Sequence, residues 1–438
     1  MTESGRRSLR TMTAPLATRS FRHYYLGQTA SAFGDALTPL ALAFAVLDLT
    51  GSPADLGIVV LSTRVPVIAL TLLGGAFGDR FPRRSVMLLA DATRSLAHGL
   101  TAALLLTGTA HLWTLVALQL VAGTGSALFN PAAMGLVPSL AGKERLQEAN
   151  SLLSISRSAT SIAALGTGGA LVATAGPGWA VLVDALTFLV SAAFLRLLPR
   201  AVAAERTPRR AGLLASIGEG VREVAGRSWL WIWIVHVALT NLIAVAPVLV
   251  LGPYVADERL GGAPAWSAIG IGYAVGGLAG GVVGARWRPA RPMVAALAFF
   301  LLMAPLPALL AVPAPVWLLV AAAGLAGLQL VVYNVLQTTA LQRRLPEEVV
   351  ARAGSVVMLG ALVAAPLGMA MSGPLAAAWG GDTVLALSAG LDVVFTVATL
   401  LVPAVWRVRD DLPDATLPEL ADGAEEAERD GAGTAVSR

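Results

Sequence analysis

The hydrophobic positions of this chain fall into long apolar runs that are separated by short polar segments. A helix that crosses a bilayer needs about 20 predominantly apolar residues, and each of these runs is of that length. The pattern predicts twelve membrane-spanning helices, with a polar stretch from Pro199 to Ser228 between the sixth and the seventh. The predicted spans cover residues 24–48, 55–77, 86–107, 112–136, 149–174, 178–198, 229–254, 266–285, 293–312, 315–341, 350–377 and 382–405.

Composition agrees with this pattern and excludes several classes of protein. Of the 438 residues, 56% are hydrophobic and only 13% are charged. Such values exclude a soluble globular enzyme and a disordered or fibrous chain. The polar segments are all too short to form a soluble domain of ordinary size. The predicted fold class is therefore an all-α membrane protein.

Basic residues are distributed unevenly among the predicted loops. The segments before span 1 and after spans 2, 4, 6, 8, 10 and 12 carry them, whereas the loops on the opposite side hold only Arg259. Because basic loops stay in the cytoplasm, both termini are predicted to be cytoplasmic. Membrane orientation thus accounts for the net charge of +4, and we expect no nucleic-acid partner.

The sequence lacks the residue patterns of catalytic and metal centres. It contains no cysteine, and its four histidines are widely spaced, which argues against disulfides and a metal site. It has neither a Gly-x-Ser-x-Gly motif nor a phosphate-binding loop around Gly142-Lys143. We therefore expect no enzyme and no bound cofactor, with a proton gradient as the energy source. The segment from Met1 to Phe21 lacks the apolar core of a cleavable signal peptide.

The second half of the chain repeats the first. With a constant offset, Asn130 falls on Asn334 and Glu144 falls on Glu348. A six-plus-six repeat with both termini on one side indicates a parallel duplication, and hence two six-helix bundles. The predicted order is an N-terminal segment, a first bundle, a linker with an amphipathic helix, a second bundle and a disordered acidic tail. These parts cover residues 1–22, 23–198, 199–228, 229–406 and 407–438.

The loop after span 2 reads GGAFGDRFPRR, from Gly74 to Arg84. A glycine, an Asp-Arg pair and a following basic pair resemble the signature of the major facilitator superfamily, although Pro82 replaces the usual glycine. Twelve spans in two parallel halves agree with that resemblance. It implies a conformational latch that holds the two halves together on the cytoplasmic side. The latch residues would be Gly75, Asp79, Arg80, Arg83 and Arg84, together with the i, i+3 pair of Asp91 and Arg94 in span 3.

Shorter motifs, among them Gly34-Asp35, Arg64-Val65-Pro66 and Phe129-Asn130-Pro131, resemble the branch of enterobactin exporters and macrolide-efflux-like proteins. The resemblance implies a secondary active transporter that exports a drug, an antibiotic or a siderophore in exchange for protons, by alternating access. Span 5 lacks the Gly-Pro typical of drug/proton antiporters, so an importer or uniporter of the same fold is an alternative. A membrane sensor or assembly subunit is a second alternative, from a different class of protein. We expect a monomer in a bacterial cytoplasmic (inner) membrane, with lipid, protons and a small molecule as partners.

Ionisable residues within a span cost at least about 2.5 kcal/mol near its centre, so the few present are candidates for function. Asp35, near the middle of span 1, is our first choice for the carboxyl that carries the proton. The alternative is a structural salt bridge from Asp35 to Arg64 or Arg157. Arg64 would either bind an anionic substrate or neutralise Asp35.

Other polar residues of the spans receive more modest interpretations. Asn130, Asn334 and Gln337 have matching places in the two halves and are predicted to line the substrate cavity. Asp392, on the peripheral last span, is interpreted as an assembly contact, and His236 as a structural residue.

Overall fold

The computed structural model describes residues 13–73, 82–142, 145–199, 227–344 and 364–407. Throughout these residues the regular structure is helical, as the apolar runs predict. Three latch residues, Gly75, Asp79 and Arg80, lie outside the described residues. So do the predicted amphipathic helix of the linker and nearly all of the predicted acidic tail.

Six long helices form the first half of the chain, and each begins or ends within a few residues of a predicted span. They are α1 (Arg19–Thr50), α2 (Pro53–Leu73), α3 (Arg83–Leu106), α4 (Leu112–Ala141), α5 (Leu146–Ala175) and α6 (Pro177–Arg196). Tight turns at glycine join some of them: Gly51, at φ +63°, ends α1, and its N–H donates to Leu47 O at 2.7 Å. Only glycine adopts this left-handed backbone without strain.

The helices of the second half are less regular. They are α7 (Ser228–Leu260), α8 (Ala263–Arg286), α9 (Pro292–Leu310), α10 (Val316–Arg344), α11 (364–379) and α12 (Gly381–Leu400). Two stretches of α7, Asn241–Val245 and Ala256–Leu260, are π-helical. Helix α9 is interrupted between Phe300 and Pro305.

Ten helices among the described residues are long and apolar enough to cross a membrane. They confirm ten of the predicted spans. Helix α3 is not among them, because Asp91, Arg94 and His98 lower its hydropathy. Helix α11 is described only in part, over the second half of the predicted span 350–377.

Close packing within each half depends on small residues. In the second half α8 lies directly against α10, and an added Cβ on Gly276 would collide with the backbone of Gly324. Glycine lets helix backbones approach each other in this way. In the first half α3 lies between α4 and α6, and Ser95 Oγ donates to Ala185 O at 2.9 Å.

The two ends of the bundle differ in charge. We call the end where α1 starts and α2 finishes the basic end, because many of the arginines lie there, and the other end the far end. Contacts between the halves, where the structure describes them, lie towards the far end. Added Cβ atoms on two glycines show this closeness: on Gly57 of α2 it would lie 2.8 Å from Met369 O, and on Gly169 of α5 it would lie 3.0 Å from Ala263 O. In this conformation the halves are therefore joined at the far end.

Candidate functional site

A buried polar cluster lies in the middle of the first half, where α1, α3 and α6 meet. It contains three carboxyl groups, one guanidinium group and one imidazole ring. We call it the three-carboxyl cluster, and its members are Asp35 of α1, Asp91, Arg94 and His98 of α3, and Asp184 of α6.

Arg94 is the centre of this cluster. Its Nη2 donates to Oδ1 of Asp91, one turn earlier on α3, and its Nη1 lies 3.6 Å from Oδ1 of Asp35. The guanidinium carbon also lies 4.2 Å and 4.1 Å from the ring centroids of Phe129 and Phe188. A desolvated arginine between two aromatic faces is held by cation–π attraction as well as by its ion pairs. The cation of the cluster is thus fixed in position.

Asp184 has a different set of partners. Its Oδ2 accepts a hydrogen bond from the Thr38 hydroxyl and lies 2.6 Å from Nδ1 of His98. Gly34 makes room for this carboxyl, since an added Cβ there would collide with the Asp184 side chain and lie 2.9 Å from its Cα. The Gly34-Asp35 pair of the sequence therefore has a steric reason: the glycine admits Asp184 beside the aspartate.

Asp35 is the open member of the cluster. The Asp91 and Asp184 residues are fully buried, whereas the Asp35 side chain is 49% exposed although it lies at the middle of α1. Pro39, four residues further along the same face of α1, is also exposed. Asp35 therefore connects the buried cluster to an accessible surface, and its Oδ2 accepts a hydrogen bond from Ser31 at 3.3 Å.

Charge counting shows what the cluster can do. Three carboxylates would bring three negative charges, against one fixed positive charge on Arg94 and at most one on His98. Uncompensated charge in a buried site costs several kcal/mol per ion. The arrangement is therefore suited to holding at least one proton, and Asp35 is its accessible carboxyl.

The structure corrects the expected partner of Asp35. The alternative interpretation of Asp35 named Arg64 or Arg157 as its salt-bridge partner, but the cation beside Asp35 is Arg94 of α3. Arg64 lies seven residues after Gly57 on the same face of α2, the face that packs on the second half at the far end, and it is exposed. The error arose because spacing along the chain does not reveal which helices pack together.

The sequence patterns did not predict the roles of three members of the cluster. Asp91 and Arg94 were grouped with the latch of the loop after span 2, but the ion pairs that the structure describes join Arg94 to Asp35 and to Asp91. The pairing of His98 with Asp184 was missed. A signal for it exists, because His98 follows Arg94 by one helical turn and so shares its face.

Among the other latch residues, Arg83 and Arg84 are described. Arg83 Nη1 donates to Gly135 O, and Arg84 Nε donates to Leu195 O at 2.9 Å. Both arginines thus bind the start of α3 to helices of its own half. Their contact with the second half in another conformation remains a prediction.

The predicted cavity residues are not brought together by contacts. Asn130 on α4 and Asn334 on α10 are exposed, and Gln337 is half-buried. Within the part of the chain that the structure describes, no hydrogen bond joins them to one another or to Asp35. Asp392 is fully buried against α7 of the same chain, so it is not available to a second copy.

A family model described as transmembrane secretion effector matches residues 10–422. The chain is 31% identical over 394 residues to the multidrug efflux pump Tap of Mycolicibacterium fortuitum, covering 84% of this chain and 92% of that protein. It is 27% identical over 413 residues to the enterobactin exporter EntS of Escherichia coli O1:K1, with coverages of 91% and 95%. A match to the uncharacterized MFS-type transporter YfiS of Bacillus subtilis, 33% identical, covers 44% of this chain and less than half of that relative, 46%.

Solved structures show the same fold at low sequence identity. The nucleoside transporter NupG superposes with a TM-score of 0.70 at 14% identity, over 89% of this chain and 99% of that chain. A bacterial homologue of the iron transporter ferroportin in an inward-facing state gives a TM-score of 0.67 at 20% identity, over 88% and 99%. At these identities the likeness concerns the fold.

Proposed function

The chain belongs to the transmembrane secretion effector family of the major facilitator superfamily, and from that premise we propose that it exports a small amphipathic compound in exchange for protons. It is a membrane transporter and not an enzyme. The proposed cycle is alternating access, powered by the proton gradient and without a bound cofactor. Efflux relatives, named as a multidrug pump and an enterobactin exporter, support the direction of transport.

We propose that the chain crosses a bacterial cytoplasmic (inner) membrane twelve times as a monomer, with both termini in the cytoplasm. The ten apolar helices support this number of spans, with α3 and the partly described α11 proposed as the other two. The basic end then faces the cytoplasm, in line with the usual placement of arginine. Because the described contacts between the halves lie at the far end, we propose that this conformation is open towards the cytoplasm.

The single observation that carries the proposal is the excess of carboxyl groups over cations around Asp35. With Asp35 ionised, Arg94 is shared between Asp35 and Asp91. A proton on Asp35 removes that attraction, so Arg94 keeps only Asp91, and the ion pair between α1 and α3 is lost. Proton binding thereby changes the contact between two helices, which is what coupling requires.

Arg64 supports the proposed class of substrate. It is an exposed cation on the face of α2 that turns towards the second half, where an amphipathic compound would lie. Asn130, Asn334 and Gln337 are proposed as polar groups of the same cavity. A drug, an antibiotic or a siderophore with an anionic group would suit this combination of one cation, amides and apolar walls.

The test measures proton movement in inside-out vesicles that carry an imposed pH gradient. Siderophores, macrolides and cationic dyes are added to wild type, to Asp35→Asn, and to Asp55→Asn as a matched control outside the cluster. We expect at least one compound to dissipate the gradient in wild type and in the control but not in Asp35→Asn. If compounds cross the membrane equally in all three without moving protons, the proposal is wrong and a uniporter is favoured.

A further inference from the structure

A second buried carboxyl lies in the other half of the molecule, away from the three-carboxyl cluster. Asp392 stands twelve residues into the twenty of α12 and is fully buried. Its Oδ1 accepts a hydrogen bond from the hydroxyl of Thr240 on α7 at 3.2 Å. We propose that Asp392 is a second proton-binding site, which rests on proton-driven transport as proposed above and adds a second proton to it.

The polar groups around Asp392 have unmet hydrogen bonds. Its Oδ2 has no partner within the described residues, and neither does the buried hydroxyl of Thr396 one turn further on. His236, one turn before Thr240, is bound through Nδ1 to Thr399 at 3.2 Å, while its Nε2 has no partner in the same part of the chain. Buried polar atoms are normally satisfied. A group of several unsatisfied polar atoms therefore indicates a site that changes its hydrogen-bond partners.

Charge is the decisive difference from the first half. Helix α12 packs against α7, α9 and the turn at Pro403–Trp406. Of the described side chains on these three elements, the titratable one near Asp392 is His236. Tyr254, Arg259 and Asp382 lie at the far end of the same helices. Among the described residues no fixed cation lies beside Asp392 to balance its ionised form, and leaving that charge uncompensated costs several kcal/mol. Asp392 accordingly carries a proton in this conformation.

The backbone that follows Thr240 offers a way for Asp392 to exchange its hydrogen-bond partners. The π-helical stretch Asn241–Val245 begins directly after Thr240, and Ser388 of α12 donates to Ile243 O within it. Single turns of π-helix frequently occur at functional sites. A change of winding here would rotate Thr240 and His236 relative to Asp392, and so expose the carboxyl to a different set of partners.

The same contact occurs in both halves. Thr38 on the first helix donates to Asp184 on the last helix of the first half, and Thr240 on the first helix donates to Asp392 on the last helix of the second half. Each half thus has a threonine–aspartate contact between its first and its last helix, although not at matching positions, since the offset of the repeat places Asp184 on Ser388. Among the described residues, Asp184 alone of the two carboxyls has a histidine within hydrogen-bond distance: its Oδ2 lies 2.6 Å from Nδ1 of His98.

Infrared difference spectroscopy tests the proposal directly, because a protonated carboxyl has its own C=O stretch. Purified protein in lipid nanodiscs is taken through the neutral pH range as wild type, Asp392→Asn and Asp35→Asn. We expect one pH-dependent carboxyl band to be lost in Asp392→Asn and retained in Asp35→Asn. Thr240→Val, which keeps the carboxyl but removes its donor, should shift that band without removing it.

Transport gives the second readout. In proteoliposomes, the ratio of protons to substrate should fall about twofold in Asp392→Asn relative to wild type. An unchanged ratio, or a band at Asp392 that does not respond to pH, would overturn the second site. If the wild type moves no protons at all, the proposed function is wrong, while the infrared bands still report on Asp392.

Discussion

Removal of the guanidinium group of Arg94 is the sharpest test of the three-carboxyl cluster, because this group is its only fixed cation among the described residues. The contact with Asp35 is long, 3.6 Å, and that carboxyl is half exposed, so it contributes about 0–1 kcal/mol. The contact with Asp91 is fully buried, and breaking such a pair costs about 3–5 kcal/mol. We therefore expect Arg94→Met to destabilise the protein by about 3–5 kcal/mol, most of it from Asp91.

The assay is unfolding in mixed detergent, followed by the fluorescence of the ten tryptophans. The double variant Asp91→Asn/Arg94→Met should recover much of the loss, because it removes the carboxyl that the single variant leaves unpaired. Asp35→Asn should change the free energy of unfolding by less than about 1 kcal/mol. Arg196→Met, at an exposed position of α6, is the matched control. The reasoning is refuted if Arg94→Met is as stable as this control, or if the double variant is no better than the single one.

Three further predictions concern single positions. Gly34→Ala should lower the free energy of unfolding by about 1–3 kcal/mol, and with it the unfolding temperature, because the added methyl collides with Asp184. An unchanged unfolding temperature would contradict this. Arg64→Gln should raise the KM of vesicle transport for anionic compounds and leave that for cationic dyes unchanged, and an equal effect on both would show that Arg64 does not select by charge. Arg259→Gln, which breaks a pair with Asp382 that is exposed at the far end, should cost no more than about 1 kcal/mol in the same unfolding assay.

Helix positions were largely predictable from the sequence, whereas helix ends were not. The predicted first span, 24–48, became a helix from Arg19 to Thr50. Its first turn carries Arg19, Arg22 and His23, which a hydropathy pattern does not count although they continue the same helix. Helix α7 likewise extends past the predicted residue 254 to Leu260, through a π-helical stretch with Asp257, Glu258 and Arg259.

Contacts within one helix were predictable, and contacts between helices were not. The pair of Asp91 and Arg94 followed from their spacing of three residues, which places both side chains on one face. The partner of Asp35 depends instead on which helix lies behind α1, and the periodicity of an apolar run does not contain that information. Arg94 reaches Asp35 because the first half places α3 near α1, and Gly125 of α4 leaves space for the arginine stem.

The two halves retain one architecture but differ in how they can respond to a proton. In the proposed mechanism, Arg94 loses or gains Asp35 as an ion-pair partner when that carboxyl binds or releases a proton, and it retains Asp91 as a second carboxyl partner. In the second half, Asp392 has a hydroxyl donor, and no arginine of the described residues lies within hydrogen-bond distance of it. Its ionisation would therefore change the net charge buried between α7 and α12, and only a rearrangement of those helices could offset the cost. On this reasoning the first half binds protons by exchange of partners, and the second half by a change of helix packing.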